Sequence, residues 1–143
     1  MALKDLELIQ YSSTGAVTFS LLQNPGTVHG GYNLVQKIIK HLLTLKGTNS
    51  FLTKYGSGFY NLIGTIDTTK IEQVEEIIPV YLKNIVSAIQ EEQSNYMINN
   101  ELEDGEILKD LILINARFDI QLLSWYITVK IVTEAGASFV INI

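Results

Sequence analysis

Residues 112 to 131, ILINARFDIQLLSWYITVKI, decide the fold class, because apolar and polar side chains alternate along much of this stretch. A period of two is typical of β-strands, whose successive side chains point to opposite faces of a sheet. A last run at 138–143 alternates in the same way after EAG at 134–136. The pattern predicts three antiparallel strands in a meander. The predicted apolar face comprises Ile112, Ile114, Ala116, Phe118, Ile120 and Leu122, then Trp125, Ile127, Val129 and Ile131, then Phe139, Ile141 and Ile143.

An amphipathic helix is predicted upstream, from Asn33 to Lys46, since apolar residues recur there at steps of three and four. Asn33 and Gln36 have the spacing of a capping box, which predicts the start of the helix. Gly47 suits a left-handed C-terminal cap. Both ends of this helix are therefore marked in the sequence.

A longer helix is predicted from Thr69 onwards, with Thr69 and Glu72 as its capping pair and an apolar stripe that runs to Ile89. Pro79 lies inside this pattern and removes one backbone donor, so a kink or a break is expected there. Amphipathic helices followed by a three-stranded antiparallel C-terminal meander, without βαβ alternation, predict an α+β fold.

The first 32 residues are predicted to stand apart from a domain that spans 33–143. Two short alternating runs, from Leu6 to Leu8 and from Val17 to Leu21, are separated by YSSTG and predict two strands and a turn. The following QNPGTVHGGY at 23–32 is rich in glycine and predicts an irregular connection or an extended arm, whose structure a partner would fix.

Composition excludes several classes of function. The 143 residues fit one α+β domain with its N-terminal arm, and ten basic against fifteen acidic side chains argue against nonspecific binding to nucleic acid or anionic membranes. No apolar run approaches the roughly 20 residues of a membrane-spanning helix, and the charged first residues do not form a secretory signal. The lack of cysteine excludes thiol catalysis, cysteine-metal clusters and disulfides.

The glycine-rich stretch GTNSFLTKYGSG at 47–58 raises the question of phosphate binding. It lacks the order GxxxxGK[ST], because Lys54 precedes Gly56 and no serine or threonine follows a lysine at a helix start. The stretch instead predicts a tightly turned structural loop that brings Phe51, Tyr55 and Phe59 onto a surface or into the core.

Metal and catalytic motifs are weak. The two histidines, His29 and His41, lie on different elements, and no serine occurs in GxSxG, so neither a metal site nor a cofactor is predicted. Acidic residues at 91–92 and 101–106 leave a cell-wall (peptidoglycan) hydrolase domain as the alternative function, since glycoside hydrolysis needs two carboxyl groups across a cleft.

The last predicted strand suggests a protein contact. A strand at a sheet edge can accept a strand from a neighbour, with affinity from the backbone ladder and specificity from alternate side chains. An ordinary edge, blunted by Lys130 and Glu134, fits the same pattern.

The order of these parts resembles a known family. Residues 33–143 combine a helix that ends in LLTLKGTNSF, the segment TKYGSGFYNLIG, a long helix and a meander through ARFDI, YITVKIVTEAG and FVINI. This is similar to the baseplate wedge or sheath-initiator family of contractile-tailed phages, historically called tail-lysozyme-like, which has a counterpart in type VI secretion baseplates. Members often carry a glutamate and an arginine after the first glycine, where Thr48 and Asn49 stand here. The most specific matching residues are Thr44, Gly47, Tyr55, Gly56 and Ser57.

The resemblance implies a non-enzymatic baseplate protein that initiates sheath assembly, its C-terminal sheet templating the first sheath ring by strand sharing. It implies a virion protein of the tail baseplate, assembled in the host cytoplasm, although a secretion apparatus stays open. The implied partners are the sheath protein, baseplate wedge proteins and the tail tube or hub, with six copies in a ring and no nucleic acid, membrane, metal or cofactor. An adaptor module without a tail role, binding through the arm at 23–32, is a third possibility. The expected protein-interaction residues are Gly47, Tyr55, Gly56, Ser57, Phe139, Ile141 and Ile143.

Overall fold

A computed structural model of the chain describes residues 4–6, 9–11, 17–19, 27–48, 50–51, 55–63 and 70–143. Seven strands and three α-helices occur in this part, together with one 3₁₀ turn at Asp104–Glu106. The strands are β1 (Lys4–Leu6), β2 (Ile9–Tyr11), β3 (Val17–Phe19), β4 (Thr27–His29), β5 (Leu108–Asp119), β6 (Ser124–Thr133) and β7 (Ser138–Asn142), and the helices are α1 (Gly31–Leu43), α2 (Phe59–Ile63) and α3 (Ile71–Met97).

The N-terminal strands form two small antiparallel pairs. β2 pairs with β3, and β3 begins the second predicted run. The first predicted run does not coincide with β2: Leu6 belongs to β1, and Glu7 and Leu8 lie outside the described residues, as does most of the YSSTG turn. β4 pairs with β1, so residues 27–29 of the expected arm fold back onto the start of the chain. The prediction of an extended arm is therefore wrong for these residues, because their backbone finds a ladder partner in β1. Pro25 and Gly26 lie outside the described residues.

The start of α1 differs from the prediction. The helix begins at Gly31, and Gly30 precedes it with a positive φ of 64° and no side-chain cap. The predicted capping box is wrong, since Asn33 and Gln36 are both buried inside the helix. Glu106 caps this end from a distance instead, because its Oε1 accepts the Gly30 N–H at 3.1 Å. A long-range contact has replaced the local one.

The end of α1 also differs. The helix stops at Leu43, and Thr44 is already extended. Gly47 has the expected positive φ of 88°, but it shapes the following turn rather than the helix cap, so the predicted cap is wrong. The reason is a bridge across the loop: the Ser57 N–H donates to the Thr44 carbonyl at 2.9 Å, and the Lys46 N–H donates to the Ser57 carbonyl.

The long helix α3 runs without interruption through Pro79, so the predicted break is wrong. Pro79 and Glu75 are exposed, so water can satisfy the Glu75 carbonyl that loses its donor. Lys70 precedes the helix without a side-chain cap, and Thr69 of the predicted capping pair lies outside the described residues. The apolar stripe is confirmed, with Val74, Ile78, Leu82, Ile85 and Ile89 buried.

The C-terminal meander is confirmed as an antiparallel sheet in the order β5–β6–β7. The predicted inner faces of β6 and β7 are also correct: Trp125, Ile127, Val129 and Ile131 are buried, as is Ile141. Together with the helices this makes the fold α+β. One layer consists of α1, α2 and α3, the other is the sheet, and the buried apolar side chains of both layers form a single core.

The predicted face of β5 is wrong in its first half. Ile112 and Ile114 are 44% and 54% exposed, and Leu111 is buried in their place. A register irregularity between Leu113 and Asn115 places an extra residue in β5, so the side chains before and after it alternate in opposite phase. Ile120 and Leu122 are also exposed, since they lie in the turn that joins β5 to β6.

Candidate interaction site

The loop after α1 places four of the expected interaction residues together. Ser57 is buried, and its hydroxyl donates to the His41 carbonyl at 3.0 Å and accepts the Phe59 N–H at 3.3 Å. Gly56 has a positive φ of 95°, and a Cβ there would lie 2.5 Å from the Thr44 carbonyl oxygen. Tyr55 is half-buried against the His41 ring, with centroids 4.2 Å apart. These three residues therefore hold the loop against the end of α1.

Gly47 and its neighbours form the exposed part of this loop. Gly47, Thr48 and Ser50 are exposed, and the Phe51 side chain is 93% exposed. Phe59 is fully buried. Of the three aromatic residues, Phe51 therefore lies on the surface, Tyr55 packs against His41, and Phe59 lies in the core. Lys54 lies outside the described residues. A neighbouring molecule can reach the Gly47 side of the loop, whereas Ser57 acts as its internal support.

The expected residues of β7 lie elsewhere. Ile141 is fully buried, and Phe139 and Ile143 are half-buried. Phe139 packs against Tyr32 with ring centroids 5.6 Å apart, next to the start of α1. Tyr55 packs against His41 nine residues further along the same helix, about 14 Å away at 1.5 Å per residue. The structure thus places the two expected groups at opposite ends of α1.

A charged cluster joins α1 to α3. Lys37 Nζ lies 2.6 Å from Glu92 Oε1, and His41 Nε2 lies 3.5 Å from Glu92 Oε2. His41 is buried, and neither ring nitrogen makes a hydrogen bond of standard geometry. The contacts with His41 and then Lys37 outweigh partial burial and lower the pKa of the Glu92 carboxyl from 4.5 to about 2. The cluster is therefore a link between the two helices that depends on an ionised Glu92.

Replacing Glu92 by glutamine is expected to lower the free energy of unfolding by about 1 kcal/mol at neutral pH, since the side chain is 47% exposed and water screens the pair. The folded pKa lies below the unfolded one, so this stabilisation is present above pH 4.5 and is lost as the pH falls towards 2. Urea unfolding of both proteins at several pH values measures the difference. The exposed neighbour Glu91→Gln is the control, and a pH-independent difference for Glu92→Gln would contradict the assignment.

Glu106 and Gln93 form a second, buried polar contact beside a cavity of about 180 Å³. Gln93 Nε2 donates to the Glu106 carbonyl at 2.7 Å, and Gln93 Oε1 accepts the Leu108 N–H at 2.9 Å. Glu106 also accepts backbone N–H groups from Gly30 and Glu103. These side chains fix the start of α1 and the start of β5. In the acidic segment 101–106, sequence reasoning missed this buried carboxylate, because burial of one acid among several leaves no local signal in the sequence.

The β5–β6 hairpin exposes apolar side chains that sequence reasoning placed on the inner face or missed. Ile112 and Ile114 lie on its outer side, and Ile120, Leu122 and Leu123 lie in its turn. Leu123 adopts a positive φ of 49°, which favours glycine or asparagine. The sequence signal was the turn itself, which contains apolar residues where turn formers are usual.

The sheet has two edge strands, β5 and β7. The mutual backbone hydrogen bonds of Ile127 and Ile143 show that Ile127, Val129 and Ile131 direct their backbone groups towards the β7 side. The alternate residues of β6 direct their backbone groups towards β5. There Tyr126 pairs with Arg117, Thr128 with Asn115, and Lys130 with Ile112. It follows that Leu113, Ala116 and Phe118 direct their backbone N–H and C=O groups away from β6, to the open edge of the sheet. In the described part of the chain β5 pairs with β6 alone.

Within the described ranges, no group of three or more acidic or histidine side chains is arranged to hold a metal ion. None of the described helices has both the length and the apolar character needed to cross a bilayer. Comparison of the chain with protein-family models, curated proteins and solved structures finds no match.

Proposed function

We propose that this protein is a structural baseplate component of a contractile tail and that it initiates sheath assembly. Its C-terminal sheet would template the first sheath ring by sharing strands with sheath subunits. The proposed partners are the sheath protein, the baseplate wedge proteins and the tail tube or hub, with six copies placed around the tail. The proposal follows from the resemblance of residues 33–143 to that family, and the geometry of the sheet supports it.

The observation that carries the proposal is the long edge strand β5. It has 12 residues, and β6 is its one strand partner among the residues that the structure describes. Gln90 of α3 covers only its beginning, through hydrogen bonds to the Leu108 and Lys109 carbonyls. An added strand would gain a backbone ladder along Leu113 to Phe118 and would be held in register by alternate side chains. Strand addition at an edge is the physical basis of templating.

The exposed part of the loop after α1 supports contact with a further partner. Gly47, Thr48 and Phe51 are exposed beside a framework that Ser57 and Gly56 fix to α1. The backbone bridge that joins Thr44 and Lys46 to Ser57 is already formed, so these residues lose little conformational freedom when a partner binds, and more of the contact energy is available for affinity. We assign this loop to the baseplate wedge contact, whereas β5 is assigned to the sheath.

Replacing Ala116 by proline tests strand sharing. The Ala116 N–H points away from β6, to the open edge of the sheet. Proline at this position should therefore block an added strand and leave the β5–β6 ladder intact. We expect helix content and unfolding temperature close to wild type, but baseplates that fail to extend sheath. Circular dichroism and electron microscopy of assembled particles measure the two outcomes. Proline at Ile141 is unsuitable, because that N–H faces β6 and its loss would damage the sheet itself.

The matched control is Ala116→Val, which keeps the N–H and should assemble sheath of normal length. Sheath of normal length on Ala116→Pro baseplates would refute strand sharing at β5.

The cell-wall hydrolase alternative is tested separately by incubating the purified protein with peptidoglycan and measuring released reducing sugar. Turnover that is abolished by replacing one glutamate would reverse the order of the two functions.

A further inference from the structure

The outer face of the β5–β6 hairpin combines apolar and basic side chains. We name Ile112, Ile114, Arg117, Tyr126 and Lys130 the ribbon surface. Ile112 pairs with Lys130 and Arg117 pairs with Tyr126 across the two strands, so the two cations flank the isoleucines along the hairpin. The Arg117 guanidinium lies 5.1 Å from the centre of the Tyr126 ring. Among the described residues, neither cation forms an ion pair.

The first half of α3 combines apolar and acidic side chains. We name Glu72, Glu75, Glu76, Ile77 and Val80 the helix surface. All five are exposed, and Ile77 and Val80 are 40% and 55% exposed although they are apolar. Residues three and four apart share one side of a helix, so Glu72, Glu76 and Val80 lie in one row and Ile77 lies next to Val80. In the described part of the chain no cation pairs with these carboxylates.

The two surfaces cannot meet within one molecule. α3 packs its buried stripe on the inner face of the sheet, so its exposed side points away from the sheet. The ribbon surface lies on the other face of the same sheet, because its residues alternate with the buried ones. The two surfaces therefore point in opposite directions from a two-layer domain.

We propose that the helix surface of one copy of this protein docks on the ribbon surface of a second copy. Each surface has a pair of exposed aliphatic side chains. Three carboxylates and one cation, Lys83, lie near the helix pair, whereas two cations and one carboxylate, Asp110, lie near the ribbon pair, so the net charges of the two surfaces are of opposite sign. Contact would remove Ile112 and Ile114 from water against Ile77 and Val80. It would also give Arg117 and Lys130 carboxylate partners, which neither has among the described residues of one molecule. A second copy fits the ribbon surface because the same chain carries the complementary chemistry.

Such a contact is heterologous, since it joins two different patches. A heterologous contact repeats from copy to copy and produces a closed ring or an open filament, according to the rotation between neighbours. The inference does not rest on the proposed sheath function. It concerns the purified chain alone, and either proposal can fail without the other.

Charge reversal on each surface provides the test. The ribbon variant carries Arg117→Glu and Lys130→Glu, and the helix variant carries Glu72→Lys and Glu76→Lys. Each variant alone faces like charges at every contact, so we expect its self-association to be about 100-fold weaker than that of the wild type. A mixture of the two restores opposite charges at both kinds of contact. We expect equimolar mixtures to assemble again, in alternating order.

Analytical ultracentrifugation over a range of protein concentrations measures assembly, and circular dichroism verifies that each variant is folded. The control Lys46→Glu with Lys109→Glu changes the net charge as much as the ribbon variant does but lies outside both surfaces, and it should assemble like the wild type. Three results would each overturn the proposal: a wild type that stays monomeric, charge-reversed variants that assemble normally, or folded variants whose mixture does not assemble.

Discussion

Replacing Gly56 by alanine is expected to lower the free energy of unfolding by about 3 kcal/mol, because two costs act at once. The residue has a φ of 95°, which side-chain-bearing residues rarely adopt. The new Cβ would also lie 2.5 Å from the Thr44 carbonyl oxygen and 3.1 Å from the backbone of Leu45 and Lys46. These atoms belong to the backbone and cannot rotate away, so the bridge between Leu45 and Ser57 must open.

Gly47→Ala separates the two costs. Gly47 also has a positive φ, 88°, but no atom lies within 4 Å of the Cβ position. This variant should therefore lose only about 1 kcal/mol from backbone strain. Urea unfolding of both variants under the same conditions measures the difference. Equal losses for the two variants would show that the close approach of Gly56 to Thr44 does not contribute to stability.

Replacing Glu106 by alanine is expected to cost about 3 kcal/mol of folding free energy. Its carboxylate is buried and accepts the backbone N–H of Gly30 at 3.1 Å and of Glu103 at 3.4 Å. Without it, the start of α1 loses its only side-chain cap within the described residues, and a negative charge disappears from the positive end of the helix dipole. The 3₁₀ turn loses its capping box at the same time.

Glu106→Gln is the matched control, because it keeps the volume and one acceptor oxygen. It should cost about 1 kcal/mol, since only one of the two N–H groups can still be accepted. Urea unfolding gives both values, and amide hydrogen exchange of Gly30 and of the first turn of α1 locates the effect. An alanine variant as stable as the glutamine variant would mean that Glu106 is a packed side chain rather than a cap.

These two predictions concern residues that support the two proposed contact regions, the loop after α1 and the edge strand β5. Gly56 fixes the loop after α1, and Glu106 fixes the segment that leads into β5. Partial loss of either support should disturb assembly before the whole domain unfolds, because local elements open at lower free energy than the core.

The sequence by itself determined the elements whose side-chain period is regular. The alternation from Trp125 to Ile131 predicted β6 and its buried face, and the stripe from Val74 to Ile89 predicted the buried side of α3. In these two elements the spacing of apolar residues is enough to predict the buried face, because each element packs one continuous face on the core. The same reasoning gave the α+β class and the three-stranded meander.

Tertiary structure decided the features that depend on residues far apart in the chain. The extra residue in β5 reversed the faces of Ile112 and Ile114, and a carboxylate 76 residues away capped α1 in place of Asn33. Ser57 ended the same helix before Gly47. The local pattern of apolar and polar residues indicates which side chains prefer burial. The phase of a strand and the partner of a helix end are set by whichever distant group satisfies the backbone there, and that choice is made only when the layers pack.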